Sequence, residues 1–232
     1  MSAFVPQSLS IAGNDSLCQR RGDGAAWRRL VRASLAIGLA AVLLPAKAQT
    51  IVDEWAAIKA PPPPELKTVK VDPKESALLL LDFVKQNCSP RPRCVASLPK
   101  MQGLLEKARQ AGMPVVYSIV TGQAPTDVLP EVAPRAGDAF VASGPDKFMN
   151  TDLDKLLKEK GVKTVIVAGT AAEGAVLNTA AAAALRGYKV IVPVDGASSV
   201  NPYSEQYTAW HLGNSPVVSR QVTLTRIDLV GF

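Results

Sequence analysis

Long apolar runs are scarce in this sequence, so a stable membrane anchor is not expected. The run ASLAIGLAAVLL at residues 33–44 has 12 residues, whereas a membrane-spanning helix needs about 20. Five arginines precede this run, and Pro45 and the tripeptide Ala46-Lys47-Ala48 follow it. This order is typical of a secretory signal peptide. We therefore expect residues 1–48 to be removed after Ala48, leaving a periplasmic or secreted protein.

The net charge is small once this leader is set aside, and aromatic residues are scarce in the whole chain. The chain has 26 Lys and Arg against 20 Asp and Glu; the leader holds 6 and 2 of them, so the remainder carries 20 against 18, a net charge of +2. Aromatic residues make up 5% of the chain. A nucleic-acid partner is not expected, because a basic stripe with interleaved aromatic residues is missing. The pair Arg28-Arg29 leaves a twin-arginine export route open beside the general secretory route.

Cysteine is rare, and two of the three cysteines lie close together. Cys18 belongs to the leader, whereas Cys88 and Cys94 lie within the segment CSPRPRC. In an oxidising compartment such neighbours commonly pair, so a disulfide is expected, with two free thiols as the alternative.

The rest of the chain divides into an arm and a domain. Residues 49–75 have no regular period, and Pro61-Pro62-Pro63-Pro64 favours polyproline II, which predicts a proline-rich N-terminal arm. From residue 76 to 232, short apolar runs alternate with amphipathic segments, the pattern of a parallel sheet with helices on both faces. Residues 121–146 are predicted to be a long loop. Thr151 and Asp154 predict a capping box at the next helix. The predicted strands are SALLLLDF, PVVYSIV, VKTVIVAGT, YKVIVPVD and, at the edge, VVSRQVTLTRI.

Ligands of such sheets bind outside the carboxyl ends of the strands. The residues expected there are Asp82, Val120-Thr121, Gly169 to Ala175, and Asp195 onward. Asp82 ends a run of four leucines, so it is either a partly sheltered general acid or base or a carboxylate that caps a loop. Lys147 is either a member of the same site or a solvated loop lysine.

Four blocks in order resemble the isochorismatase-like, or cysteine hydrolase, superfamily over about residues 74 to 227. The blocks are SALLLLDF, KFMNTDLDKLL, GTAAEGAVLNTAAAAALRGYKV and VPVDGASS. The resemblance implies a Rossmann-like three-layer α/β/α sandwich with a mainly parallel six-stranded sheet. It also implies hydrolysis of a small molecule by an Asp, a Lys and a nucleophilic Cys, and makes a homo-oligomer plausible. The resemblance implies Asp82 as the aspartate.

Two positions depart from the family pattern. The turn G-x-x-T-x-x-C-V is represented by Gly169 to Val176, which puts Ala175 where the nucleophile stands. The family lysine, nine residues before the helix-opening threonine, falls on Ala142, so Lys147 would have to replace it from a differently folded loop. Because alanine cannot form a covalent intermediate, amidase chemistry through residue 175 is excluded.

The resemblance offers one reaction that needs no thiol. Isochorismatases proper lack the cysteine and hydrolyse a vinyl ether, in which an aspartate protonates the enol-ether carbon and water adds to the oxocarbenium ion. Asp82 could do this. The family turn also implies main-chain N–H groups near the substrate and a cis peptide at Thr170-Ala171. The small residues of this turn either leave the pocket floor open or serve close packing of the helix on the sheet; they are Gly169, Ala171, Ala172, Gly174 and Ala175.

Three further residues bear on this interpretation. Glu173 is either a second acid–base group or an anion at the helix N-terminus, and Cys88 could supply a relocated thiol. A metal is not expected, because the metal-binding branch of the family uses Asp and His ligands and the one histidine is His211; no cofactor is expected either. Two functions remain open: an exported small-molecule hydrolase that uses Asp82 and Lys147, or an inactive member that binds a small ligand or a protein partner.

Overall fold

The computed structural model describes residues 50–232, which fall into two units. In the first, which ends at Ala57, helix α1 (Ile51–Glu54) runs into a 3₁₀ turn at Trp55–Ala57. The second unit comprises residues 58–232. The predicted signal peptide, its export signal and Cys18 lie outside the described residues. In residues 50–232 no helix is both long enough and apolar enough to cross a membrane.

The second unit is built on a parallel sheet, which confirms the predicted fold class. Its main strands run in the order β4-β3-β2-β5-β6-β8, β7 pairs with the end of β5, and β1 and β9 form a separate parallel pair. The strands are β1 (Val69–Lys70), β2 (Ser76–Leu81), β3 (Val115–Ile119), β4 (Ala139–Ala142), β5 (Thr164–Thr170), β6 (Lys189–Pro193), β7 (Ala197–Ser198), β8 (Val222–Thr225) and β9 (Val230–Gly231). The helices are α2 (Lys85–Cys88), α3 (Pro92–Gln110), α4 (Leu153–Glu159), α5 (Leu177–Leu185) and α6 (Pro202–Asn214).

The apolar run of β2 explains the three layers. All six of its residues are buried, and successive side chains of a strand point to opposite faces. Leu79 and Leu81 accordingly join the core beneath α4, α5 and α6, whereas Leu78 and Leu80 join the core beneath α3. A strand buried on both faces reads as a continuous apolar run.

Three local predictions were wrong. Strand β4 lies inside the predicted loop at 121–146; it is only four residues long and has one fully buried side chain, so its apolar pattern is weak. The segment VASLPKMQGLLEKARQAGM predicts a helix that starts at Val95 with Pro99 near its first turn, whereas helix α3 begins at Pro92 and has Pro99 in its interior. The capping box at Thr151 and Asp154 is not formed. Asp154 instead accepts hydrogen bonds from Lys158 and from Tyr188, at 2.6 and 2.9 Å.

The segment predicted as an arm contacts the sheet. Strand β1 pairs with β9, the Lys67 N–H donates to the Leu224 carbonyl over 3.0 Å, and the Thr225 hydroxyl donates to the Lys67 carbonyl over 2.6 Å. Further back, Pro61–Pro64 line one side of a groove of about 450 Å³ whose other side is formed by α6 and β8. The edge position predicted for the last strand of the main sheet is confirmed by β8.

Candidate active site

Asp82 stands where β2 ends, in the middle of the sheet. The residue before it, Leu81, is in register with Ser118 of β3 and with Gly169 of β5. Asp82 is 4% exposed and has a φ of 55°, a left-handed conformation that aspartate tolerates better than most residues. This turn of the chain directs a short carboxylate into protein instead of water.

Lys147 lies against this carboxylate. Its Nζ is 2.8 Å from Asp82 Oδ2 and 3.2 Å from the Ser143 carbonyl oxygen, and its side chain is fully buried. The structure therefore brings together the two residues that the sequence analysis selected as catalytic. A buried lysine is rare unless its charge is paired.

Hydroxyl groups fold the loop that carries Lys147. The Ser143 hydroxyl donates to the carbonyls of Asp146 and Met149, at 2.8 and 3.0 Å, which closes the loop on itself. The Lys147 N–H donates to the Thr179 hydroxyl of α5, and Thr151 donates to the Lys147 carbonyl. Sequence reasoning missed these supports, although Ser143 and Thr151, each four residues from Lys147, were a usable signal.

Ala142, where the family lysine would fall if no gap were allowed, does not provide a lysine at Asp82. Ala142 is the exposed last residue of β4, and the chain needs the tight loop beyond it to return a lysine to Asp82. The ion pair therefore depends on the loop between β4 and α4.

Ser118 is a second partner of Asp82 that sequence reasoning missed. Its hydroxyl donates to Asp82 Oδ1 over 2.7 Å, and its carbonyl accepts from the Asp82 N–H over 3.1 Å. Ser118 is buried, and a serine inside the otherwise apolar strand PVVYSIV was the signal. The neighbouring Tyr117 contributes to the opposite core. Burial raises the pKa of the Tyr117 hydroxyl to about 12, and this hydroxyl donates to the Val132 carbonyl over 2.9 Å.

The turn after β5 lies beside Asp82. Its peptide bond Thr170–Ala171 is cis, at the position that the resemblance implied, and a π-helical stretch, Ala172–Val176, leads into α5. Ala175 is buried. Gly169 packs against β2 so closely that a Cβ atom there would lie 2.3 Å from the Leu81 carbonyl oxygen.

The same turn contains Gly174, which is partly exposed, and Glu173, which is exposed. Its Oε1 accepts a hydrogen bond of 2.9 Å from the Ser199 hydroxyl, just beyond β7. Since β7 pairs with the last two residues of β5, this contact keeps the Glu173 side chain close to the carboxyl end of the sheet.

The cysteines next to the site are bonded to each other. Cys88 and Cys94 form a disulfide with Cα atoms 5.3 Å apart. Cys88 therefore offers no thiolate, and the idea of a relocated nucleophile there was wrong. His211, the one histidine, lies on α6 with Nδ1 3.3 Å from the Tyr207 hydroxyl. Within residues 50–232 no three His, Cys, Asp or Glu side chains are grouped as metal ligands would be.

Comparison with known proteins identifies relatives of part of this chain. A secreted isochorismatase effector of Verticillium dahliae, Isc1, is 32% identical over 111 residues, which are 43% of this chain and 58% of that protein, so this chain spans less than two thirds of the effector. A maleamate amidohydrolase of Pseudomonas putida is 28% identical over 149 residues, 51% of this chain and 70% of that protein.

Solved structures show the same architecture. The crystal structure of N-carbamoylsarcosine amidase from Thermoplasma acidophilum superposes with a TM-score of 0.57 at 26% identity and covers 66% of this chain and 97% of its own. Residues 76–222 match the isochorismatase domain, which is more than half of the chain. The protein therefore belongs to the isochorismatase family of hydrolases.

Proposed function

We propose that this protein is an exported hydrolase that cleaves a small vinyl ether, with Asp82 as the acid–base group and without a nucleophilic thiol. The observation that carries this proposal is the buried Asp82–Lys147 pair at the carboxyl end of β2, beside a turn that has alanine at position 175. The pair can move a proton, whereas the methyl group of Ala175 cannot attack an electrophile.

The reaction proceeds in two steps. Asp82 gives a proton to the enol-ether carbon, and the ether carbon becomes an oxocarbenium ion. Water adds to that ion, its proton returns to Asp82, and the resulting hemiketal or hemiacetal breaks into a carbonyl compound and an alcohol. Ser118 and Lys147 each donate a hydrogen bond to one carboxylate oxygen, and both bonds stabilise the anion that proton donation leaves on Asp82.

Turnover of matched substrates tests this chemistry. The vinyl ethers are isochorismate, which is anionic, ethyl vinyl ether, which is neutral, and 2-aminoethyl vinyl ether, which is cationic; the amides are maleamate and N-carbamoylsarcosine. We expect carbonyl product from at least one vinyl ether and none from the amides. Asp82→Asn should lower kcat at least 100-fold, because general acid catalysis typically contributes 10²–10⁴-fold. Asp152→Asn changes an exposed aspartate and should leave kcat unchanged.

Thiol reagents and ligand binding separate the alternatives. Iodoacetamide should not reduce turnover, because the cysteines of the described chain are bonded to each other. Saturable binding of a vinyl ether with no product from any substrate would instead support an inactive, ligand-binding member of the family and refute the hydrolase.

Export is supported by the leader pattern at residues 1–48, by the disulfide and by the secreted relative. Full-length protein expressed in a Gram-negative host should be recovered from the periplasm as a form that begins near Gln49. A variant without residues 1–48 should stay in the cytoplasm. Full-length protein retained in the cytoplasm with its leader intact would contradict export.

A further inference from the structure

Glu173 is an exposed carboxylate that is nevertheless held in place. It lies two residues before Ala175, in the turn beside Asp82, and its Oε1 accepts from the hydroxyl of Ser199, a residue that is 1% exposed. To reach a buried hydroxyl, the Glu173 side chain must fold back over the carboxyl ends of β5 and β7. Its carboxylate therefore lies at the carboxyl-end edge of the sheet, the edge at which ligands of such sheets bind.

A chain of contacts across two helices supports this position. The Ser199 N–H donates to Glu205 Oε1 of α6 over 2.9 Å. Arg93, in the first turn of α3, donates to the same oxygen through Nε over 2.7 Å and to the other carboxylate oxygen through its terminal nitrogen. Such a two-bonded guanidinium–carboxylate contact fixes geometry as well as charge. An anion that served only the helix N-terminus would not need this support.

The negative charge of Glu173 is not neutralised by these neighbours. Arg93 is engaged by Glu205, and among the described residues no cationic side chain lies within ion-pair distance of Glu173. One carboxylate oxygen is held by Ser199 while the other is free to accept. A fixed negative charge at a crevice raises the local concentration of cations and lowers that of anions.

We propose that Glu173 is a specificity-determining residue that selects substrates carrying an ammonium or amidinium group and disfavours anionic ones. The inference rests on the proposed function, because it places the substrate over the turn at residues 169–175. A cationic nitrogen would lie against the free oxygen of Glu173 in a charge-assisted hydrogen bond. The vinyl ether with an amino group should therefore have the lowest KM of the three, and isochorismate the highest.

Three isosteric probes test the selection without requiring turnover: benzamidine, benzamide and benzoate. Their dissociation constants for the mature protein are measured by NMR titration. We expect benzamidine to bind about 3- to 5-fold more tightly than benzamide, the upper part of the range for an exposed charge pair, and benzoate most weakly. The preference should shrink as ionic strength rises. In Glu173→Gln, benzamidine and benzamide should bind within about 2-fold of each other.

Matched variants complete the test. Glu106→Gln removes an exposed carboxylate from the second half of α3, which leads to the amino end of β3, and should keep the wild-type preference. Ser199→Ala should reduce the preference, whereas Ser199→Thr, which keeps the hydroxyl, should retain it. The inference is overturned if the wild type does not prefer benzamidine, if Glu173→Gln keeps the preference, or if benzamidine does not bind at millimolar concentration. Failure of hydrolysis with an intact, Glu173-dependent preference would refute the proposed function and leave the selection standing.

Discussion

The ion pair between Lys147 and Asp82 should behave as a single energetic unit. Lys147→Met keeps most of the side-chain volume and removes the charge, and it leaves the Asp82 carboxylate buried with only the Ser118 hydroxyl as a donor. Asp82→Asn leaves a buried ammonium with neutral acceptors. The double variant removes both charges, so neither partner is left uncompensated.

The geometry sets the size of the effect. The two side chains are 0% and 6% exposed and their charged atoms are 2.8 Å apart, which at an effective dielectric constant of 20 corresponds to an attraction of about 6 kcal/mol. The cost of taking both charges out of water opposes this attraction. Breaking a buried pair by removing one partner therefore destabilises by about 3–5 kcal/mol. We expect Lys147→Met to lose that amount and the double variant to lose about 2–3 kcal/mol less than the sum of the single losses.

Urea unfolding of the mature protein, followed by circular dichroism, measures these free energies. The control cycle uses Lys155→Met and Glu159→Gln, an i,i+4 pair in which both side chains are well exposed, and should give a coupling of no more than about 0.5 kcal/mol. If the losses of Lys147→Met and Asp82→Asn add to within about 0.5 kcal/mol, the two residues are not coupled, and the physical basis of the site is refuted.

Three further predictions concern the frame of the site. Gly169→Ala forces a Cβ against a main-chain oxygen of β2 and should lower the free energy of unfolding in urea by about 3 kcal/mol or more. The control Gly103→Ala, at a helical position with open space around it, should stabilise the protein by about 0.5–1 kcal/mol. Equal effects of the two variants would contradict the packing argument. Because the folded pKa of Tyr117 is raised from 10.0 to about 12, its contribution to stability is complete below pH 10 and is lost as the pH rises towards 12. Tyr117→Phe should flatten that part of the stability–pH curve relative to wild type, and an unchanged curve would refute the assignment. Replacing Cys88 and Cys94 together by serine should lower the unfolding free energy by about 2 kcal/mol, and no change would show that the bond does not constrain the unfolded chain.

The parts of the site that were predictable depend on local patterns. Asp82 follows a continuous apolar run, and a buried parallel strand has to end at the ligand edge of its sheet. The turn at Gly169 was predictable for a similar reason, since a glycine between a buried strand and a helix of small residues permits close approach to a neighbouring strand. In both cases the signal lies within ten residues of the chain.

The parts that were not predictable depend on contacts between distant segments. Lys147 was selected from the sequence, but the loop that brings it to Asp82 was not predicted. In this loop the Ser143 hydroxyl donates to the Asp146 carbonyl, and the Lys147 N–H donates to the Thr179 hydroxyl of α5. Ser118 was overlooked because a lone serine in a strand has no period that marks it. Strand β4 escaped notice because an edge strand with one buried side chain lacks the alternation that identifies longer strands.

The four consecutive prolines bear on whether a further strand can pair with β8 at the edge of the sheet. Pro61–Pro64 face the outer side of β8 across a shallow groove, and proline has no amide hydrogen to offer a neighbouring strand. Main chain that cannot donate thus stands next to the β8 edge of the sheet, where Lys67 already pairs with the Leu224 carbonyl. Natural proteins use proline in this way to discourage fibrous self-association.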